Sequence, residues 1–168
     1  MGKNLRNLCR IAAIALAAKG LFGFVYQDVS DIFPAKSDRG DTKWVTIHHT
    51  ATTNHRKVGE VDDYHRNHNG WGSGFAYHIY ICDHRVYLVH ALSDATGHAL
   101  YHNYDAVAIC VAGDYDVENP DCITLAELWI TQRILRWIYP DAQLSAHCDL
   151  NETSCCGRNL INHVEKWK

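Results

Sequence analysis

Val45-Thr46-Ile47-His48-His49-Thr50 is a β-prone run that ends on two histidines, and its reading decides the rest of the chain. Near-continuous apolar and β-branched character over this length predicts a buried central strand. About a hundred residues downstream stands Ala146-His147-Cys148-Asp149-Leu150-Asn151-Glu152-Thr153-Ser154-Cys155-Cys156-Gly157. It carries a histidine, a cysteine eight residues on, and a threonine two before that cysteine. Zn²⁺ accepts imidazole nitrogen and thiolate sulfur, and a catalytic zinc uses three protein ligands with the fourth position left for water. One histidine from a strand end, with a histidine and a cysteine from one loop, makes such a set. The spacing suits neither a zinc finger, with its two close pairs, nor a helical His-x-x-x-His site. On spacing alone the competing reading stays open: His147 packed in a core and Cys155 in a disulfide.

Composition bounds the function. A chain of 168 residues fits one domain with a proper core. Hydrophobic residues at 47% and charged residues at 21% are ordinary for a globular fold. A net charge of −3 argues against a nucleic-acid binder held by phosphate contacts. Seven cysteines leave at least one outside any intramolecular disulfide. Cys82 and Cys110 sit in apolar runs as buried small hydrophobes, whereas Cys148, Cys155 and Cys156 cluster, and a Cys148–Cys156 disulfide is compatible with the sequence.

Outward from the two stretches, strands and helices alternate. In residues 1–24, Lys3, Arg6 and Arg10 precede the apolar run Ile11 to Ala18, a pattern shared by a secretory signal and an amphipathic helix. The run is too short to span a membrane, although membrane contact through residues 1–24 is compatible with it. Residues 25–43 read as a linker. Val58 to His68 has helical spacing and stops at Gly70. Phe75 to Cys82 and Val86 to His90 read as strands joined by an Asp83-His84-Arg85 turn without the usual glycine. Ala106 to Ala112 is a buried strand. Thr124-Leu125-Ala126-Glu127 has the form of a capping box opening a helix that stops before Pro140. Leu144 to Ala146 is a short strand delivering His147, and Asn159 to Trp167 a closing helix. The expectation is an α/β single domain, a mixed central β-sheet flanked by helices, with residues 1–42 as an N-terminal segment plus linker and 43–168 as the domain proper. The candidate ligands fall at strand ends, where such sheets place their sites.

Taken together, several of these segments resemble the zinc-dependent N-acetylmuramoyl-L-alanine amidases of the type-2 amidase and peptidoglycan recognition protein fold, phage amidases included. The likeness covers about residues 43–167. Val45 to Ala51 resembles the family's first ligand strand, Tyr64-His65 with Gly70-Trp71 its next helix and exit, and Ala76-Tyr77-His78-Ile79 its Tyr-His strand. Gly97-His98-Ala99 resembles a substrate-cleft loop, and Val107 to Gly113 the central strand. His147 and Cys155 stand at the family's ligand spacing. The resemblance implies a Zn²⁺ cofactor held by His48, His147 and Cys155, and hydrolysis of the amide between N-acetylmuramic acid and the L-alanine of the stem peptide. It implies Tyr77 as oxyanion donor or proton shuttle, Thr153 as a weaker second donor, and His98 as a substrate contact. His49 is expected to be structural, and His65 a helix packing residue. The partner implied is peptidoglycan or a muropeptide, met by an exported protein or a phage lysin acting as a monomer on the cell wall.

The departures are specific. Cys156-Gly157 stands where many members have Pro-Gly, Thr153 where phage amidases carry a lysine, and Cys110 where some relatives have a glutamate base. The alternatives are a non-catalytic peptidoglycan-binding domain, against which the retained Cys155 argues, and a disulfide-stabilised structural domain without metal.

Overall fold

The computed structural model describes residues 26–33, 37–53, 55–72 and 74–168. Six strands form one mixed sheet: β1 (Tyr26–Asp28), β2 (Trp44–His49), β3 (Ile79–Cys82), β4 (Arg85–Leu88), β5 (Ala106–Val111) and β6 (Gln143–Ala146), in the order β1-β4-β3-β5-β2-β6. Only the β3–β4 hairpin is antiparallel; the other neighbours run parallel. Among the described residues, four α-helices flank the sheet: α1 (Val58–Asn67), α2 (Cys122–Ile138), the single turn α3 (His147–Leu150) and α4 (Arg158–Trp167). This is the single mixed-sheet α/β domain expected from the sequence. Tyr26–Asp28, in the stretch read as linker, adds an edge strand beside β4. The signal-like or amphipathic segment of residues 1–24 lies outside the described residues. No described helix is long and apolar enough to cross a membrane.

Strand alternation divides the core into two. Val45, Ile47, Val107, Ile109 and Val111 pack with Leu128 and Leu135 of α2 and Leu160 and Val164 of α4. On the other face, Tyr80, Cys82 and Cys110 meet Val61 of α1 and Phe75. The second face also carries His48, opposite Cys110 in register.

Local details depart from the sequence reading in three places. The strand expected from Phe75 begins only at Ile79. Asp62 holds the preceding stretch as an extended loop, accepting from Phe75 N at 2.7 Å and from Arg66 Nε at 2.8 Å. Gly74 sits at φ +70°, where an added Cβ would lie 2.2 Å from the Asp62 carboxylate, so glycine is required there. Secondly, the hairpin turns on Asp83 and His84, both with positive φ, the conformation a two-residue primed turn demands even without glycine. Thirdly, Thr124 is not the cap of α2. Asp121 is, its carboxylate accepting from Ile123 N and Thr124 N, because it stands three residues earlier with extended backbone while Thr124 is already helical.

Helix α2 also carries a cost. Glu127 is buried, and its Oε2 has no hydrogen-bond partner among the described residues. Burial pushes its carboxyl up to about 7. A carboxyl raised in the folded state is tolerated while protonated and destabilises once ionised, so the penalty grows as pH rises from the unfolded value through about 7. Glu127→Gln is expected to raise stability over wild type by about 2–3 kcal/mol at pH 8, with the gain shrinking toward pH 4.5. Paired denaturant titrations at the two pH values measure the difference.

Candidate metal centre

The pairing of β2 with β6 positions the first two candidate ligands. Ile47 is in register with Ala146, so His48 and His147 follow side by side at the carboxyl ends of adjacent parallel strands. Their rings lie 4.4 Å apart, centroid to centroid. Asp149 accepts from Ala146 N at 2.6 Å and from Lys168 Nζ at 2.7 Å, which ties the start of α3 to the chain end.

The loop after α3 brings in the thiol. Cys148 N donates to Cys155 O at 2.8 Å, and His49 N donates to Cys155 Sγ at 3.4 Å. Gly157, at φ +87°, lies against the Tyr115 backbone, where an added Cβ would stand 2.6 Å from the Tyr115 carbonyl carbon. That close approach seats the loop on the exit of β5. Cys155 Sγ then lies 3.8 Å from His48 Nδ1. One ligand atom from each of His48, His147 and Cys155 falls within 4.8 Å of the others, the only such group among the described residues.

The donor chemistry fits a metal. Burial, then the neighbouring His98 and His147, holds His48 well below the ordinary histidine range, and burial lowers His147 as well. Both imidazoles are therefore neutral at pH 7, as ligation requires. His48 Nε2 is hydrogen-bonded to His98 Nδ1 at 3.1 Å, and His147 Nε2 to Asn151 Oδ1 at 3.0 Å, leaving Nδ1 of each ring available to ligate. Outer partners of this kind fix ring orientation in metal sites. Burial pushes the Cys155 thiol up to about 12, so an incoming metal must displace its proton.

Around this set lie the other residues singled out in the sequence. Tyr77 is half-buried, its ring 5.1 Å from His48, with its hydroxyl in hydrogen-bonding reach of the Cys110 thiol. Burial raises its phenol well above the usual range, and it stays protonated. Cys110 is opposite His48 in register on β5. Thr153 is exposed at the cleft rim, its Oγ1 accepting from Cys155 N at 3.2 Å. His98 is buried; its Nδ1 meets His48 and its Nε2 is enclosed. His49 points to the opposite face and accepts from Tyr115 N at 3.1 Å. His65 packs among Trp71, Phe75 and Tyr77. The six described cysteines are all free thiols, so the Cys148–Cys156 disulfide compatible with the sequence is not formed.

A cleft of roughly 710 Å³ opens beside the set, lined by Trp71, Leu100, Asn103, His147, Glu152 and Thr153 among others. That is the size of a small-molecule or short-peptide site. Leu100 and Asn103 were missed in the sequence because they sit in an irregular loop with no periodic signal. Asn151 carried one signal, its i+4 spacing from His147.

Residues 38–159 match the family described as N-acetylmuramoyl-L-alanine amidase. The chain belongs to this amidase family. Among solved structures, it is similar to the endolysin amidase LysCS from Clostridium intestinale, with 25% identity, 84% of this chain and 93% of that chain covered, and a TM-score of 0.73. A mutant of Drosophila PGRP-LB in complex with tracheal cytotoxin shares the fold, with 21% identity, 84% and 94% covered, and a TM-score of 0.72. Peptidoglycan-recognition protein LE of Drosophila melanogaster is 26% identical over 136 residues, 74% of this chain; the chain spans about 39% of that relative's length.

Metal binding here is expected to release about one proton at pH 7, from the Cys155 thiol alone. Calorimetry in buffers of different ionisation heat counts it; release of none would show that Cys155 does not ligate.

Proposed function

We propose that the protein is a zinc-dependent amidase that hydrolyses the bond between N-acetylmuramic acid and the L-alanine of the stem peptide. The carrying observation is the convergence of His48, His147 and Cys155 beside an open cleft, in a chain of the amidase family. The donor set, two neutral imidazoles and one thiol, would hold Zn²⁺. Zinc so held supplies Lewis acidity, which lowers the pKa of a water and polarises a carbonyl.

The chain's own groups do the rest. Tyr77, kept protonated by burial, donates a hydrogen bond to the scissile carbonyl oxygen as negative charge develops on it. Thr153 accepts from Cys155 N, which leaves its hydroxyl proton free to serve as a second, uncharged donor at the cleft rim. His98 lines the cleft and its Nδ1 is hydrogen-bonded to His48, so it orients that ligand from the substrate side. Trp71 and Leu100 give the cleft an apolar wall for sugar and peptide. Export or release to the cell wall is part of this reading, as is action as a monomer.

Zinc-loaded protein incubated with purified peptidoglycan is expected to release stem peptides with new L-alanine amino termini. His147→Ala and Cys155→Ala should lose both zinc and hydrolysis, whereas Cys156→Ala, whose thiol is in the core, should keep both. Tyr77→Phe is expected to keep zinc and lose turnover by about 10²–10³-fold. Retention of muropeptide without any release would instead support a recognition domain.

A further inference from the structure

Asn151 follows His147 by four residues, at the end of the single turn α3. Its Oδ1 lies 3.0 Å from His147 Nε2, and its Nδ2 lies 3.1 Å from the backbone oxygen of Leu100. A backbone carbonyl can only accept, which fixes the amide with Nδ2 toward Leu100. The amide oxygen at the other end can also only accept, so His147 Nε2 must carry the proton. Nδ1 of His147 then keeps its lone pair.

The same short loop serves the other imidazole. His98, two residues before Leu100, receives His48 Nε2 through its own Nδ1. Both histidines of the ligand set are thus oriented from Gly97–Leu100, His48 directly and His147 through Asn151. That loop and the segment His147–Thr153 both line the cleft.

The geometry points to Asn151 as a positioning residue with two linked effects. It holds His147 in the Nε2–H tautomer, and it clamps the ligand loop to the cleft loop. Ligand geometry and substrate fit are therefore coupled through one side chain. The consequence for turnover rests on the zinc-amidase reading; the tautomer does not.

The test uses the full-length protein, ¹⁵N-labelled. Long-range ¹H–¹⁵N spectra of metal-free wild type are expected to show His147 in a single Nε2–H tautomer. Asn151→Ala should give a tautomer mixture and weaken zinc binding, measured by chelator competition, by about 10–100-fold. Asn151→Asp still offers an acceptor to Nε2–H but none of the donors that reached Leu100. It should keep the tautomer and most of the zinc affinity while raising KM for a soluble muropeptide, with kcat little changed. A folded Asn151→Ala protein with an unchanged tautomer and zinc affinity would overturn the proposal. If Asn151→Ala does not fold, loss of the Nε2–H tautomer in Asn151→Asp, or a wild-type KM there, overturns it instead. Wild type that binds no zinc would sink the amidase reading and leave the tautomer measurement to decide Asn151.

Discussion

In a parallel pair, residues at matched register leave the sheet side by side and on the same face. The alignment of Ile47 with Ala146 is therefore the constraint from which the site follows. It sets His48 beside His147, although they stand 99 positions apart in the chain. A slip of one residue would turn one imidazole to the opposite face of the sheet. The register is held by burial, since Val45 and Ile47 must face Leu128 and Leu160.

Once the rings are side by side, their protonation has to be managed. Several imidazoles crowd the second face: His48, His78, His98 and His147. Charging any of them would set like charges against each other in a buried space, so the lowered values of His48, His78 and His98 follow from burial first and mutual repulsion second. Neutral rings need fixed donors and acceptors. His78 shows the structural version: its Nε2 meets the Asp94 carbonyl at 2.8 Å and its Nδ1 accepts from Ala108 N at 3.0 Å, which pins the loop before β3 to β5. His48 and His147 instead each offer a ring nitrogen to the group completed by Cys155, and that separates them from His78.

The thiol arrives by a different route. Two backbone groups fix Cys155, the Cys148 and His49 amides, and Gly157 lets the loop close on Tyr115. Cys156, next in sequence, is fully buried among the apolar side chains under α4. Adjacent cysteines thus meet opposite environments, one beside the cleft and one in the core.

Much of this was legible in the sequence. Periodicity alone placed β2, β5, α1, α2 and α4 close to their observed bounds, because each keeps its buried positions on one face or, in the central strands, on both. The residue types and spacing of His48, His147 and Cys155 identified a plausible ligand set, because only a few side chains suit a thiophilic metal. Where the sequence misled, a local competitor won: Asp121 capped α2 ahead of Thr124, and Asp62 took the Phe75 amide at the start of the expected strand. What the sequence by itself determined was which elements form and which side chains have the chemistry. Only the tertiary structure decided which nitrogen of each ring is free, that all described thiols stay unpaired, and that one loop orients both histidines. The loop's hold on both histidines runs through hydrogen bonds between residues 50 or more apart, His48 to His98 and Asn151 to Leu100, and linear spacing carries no trace of these.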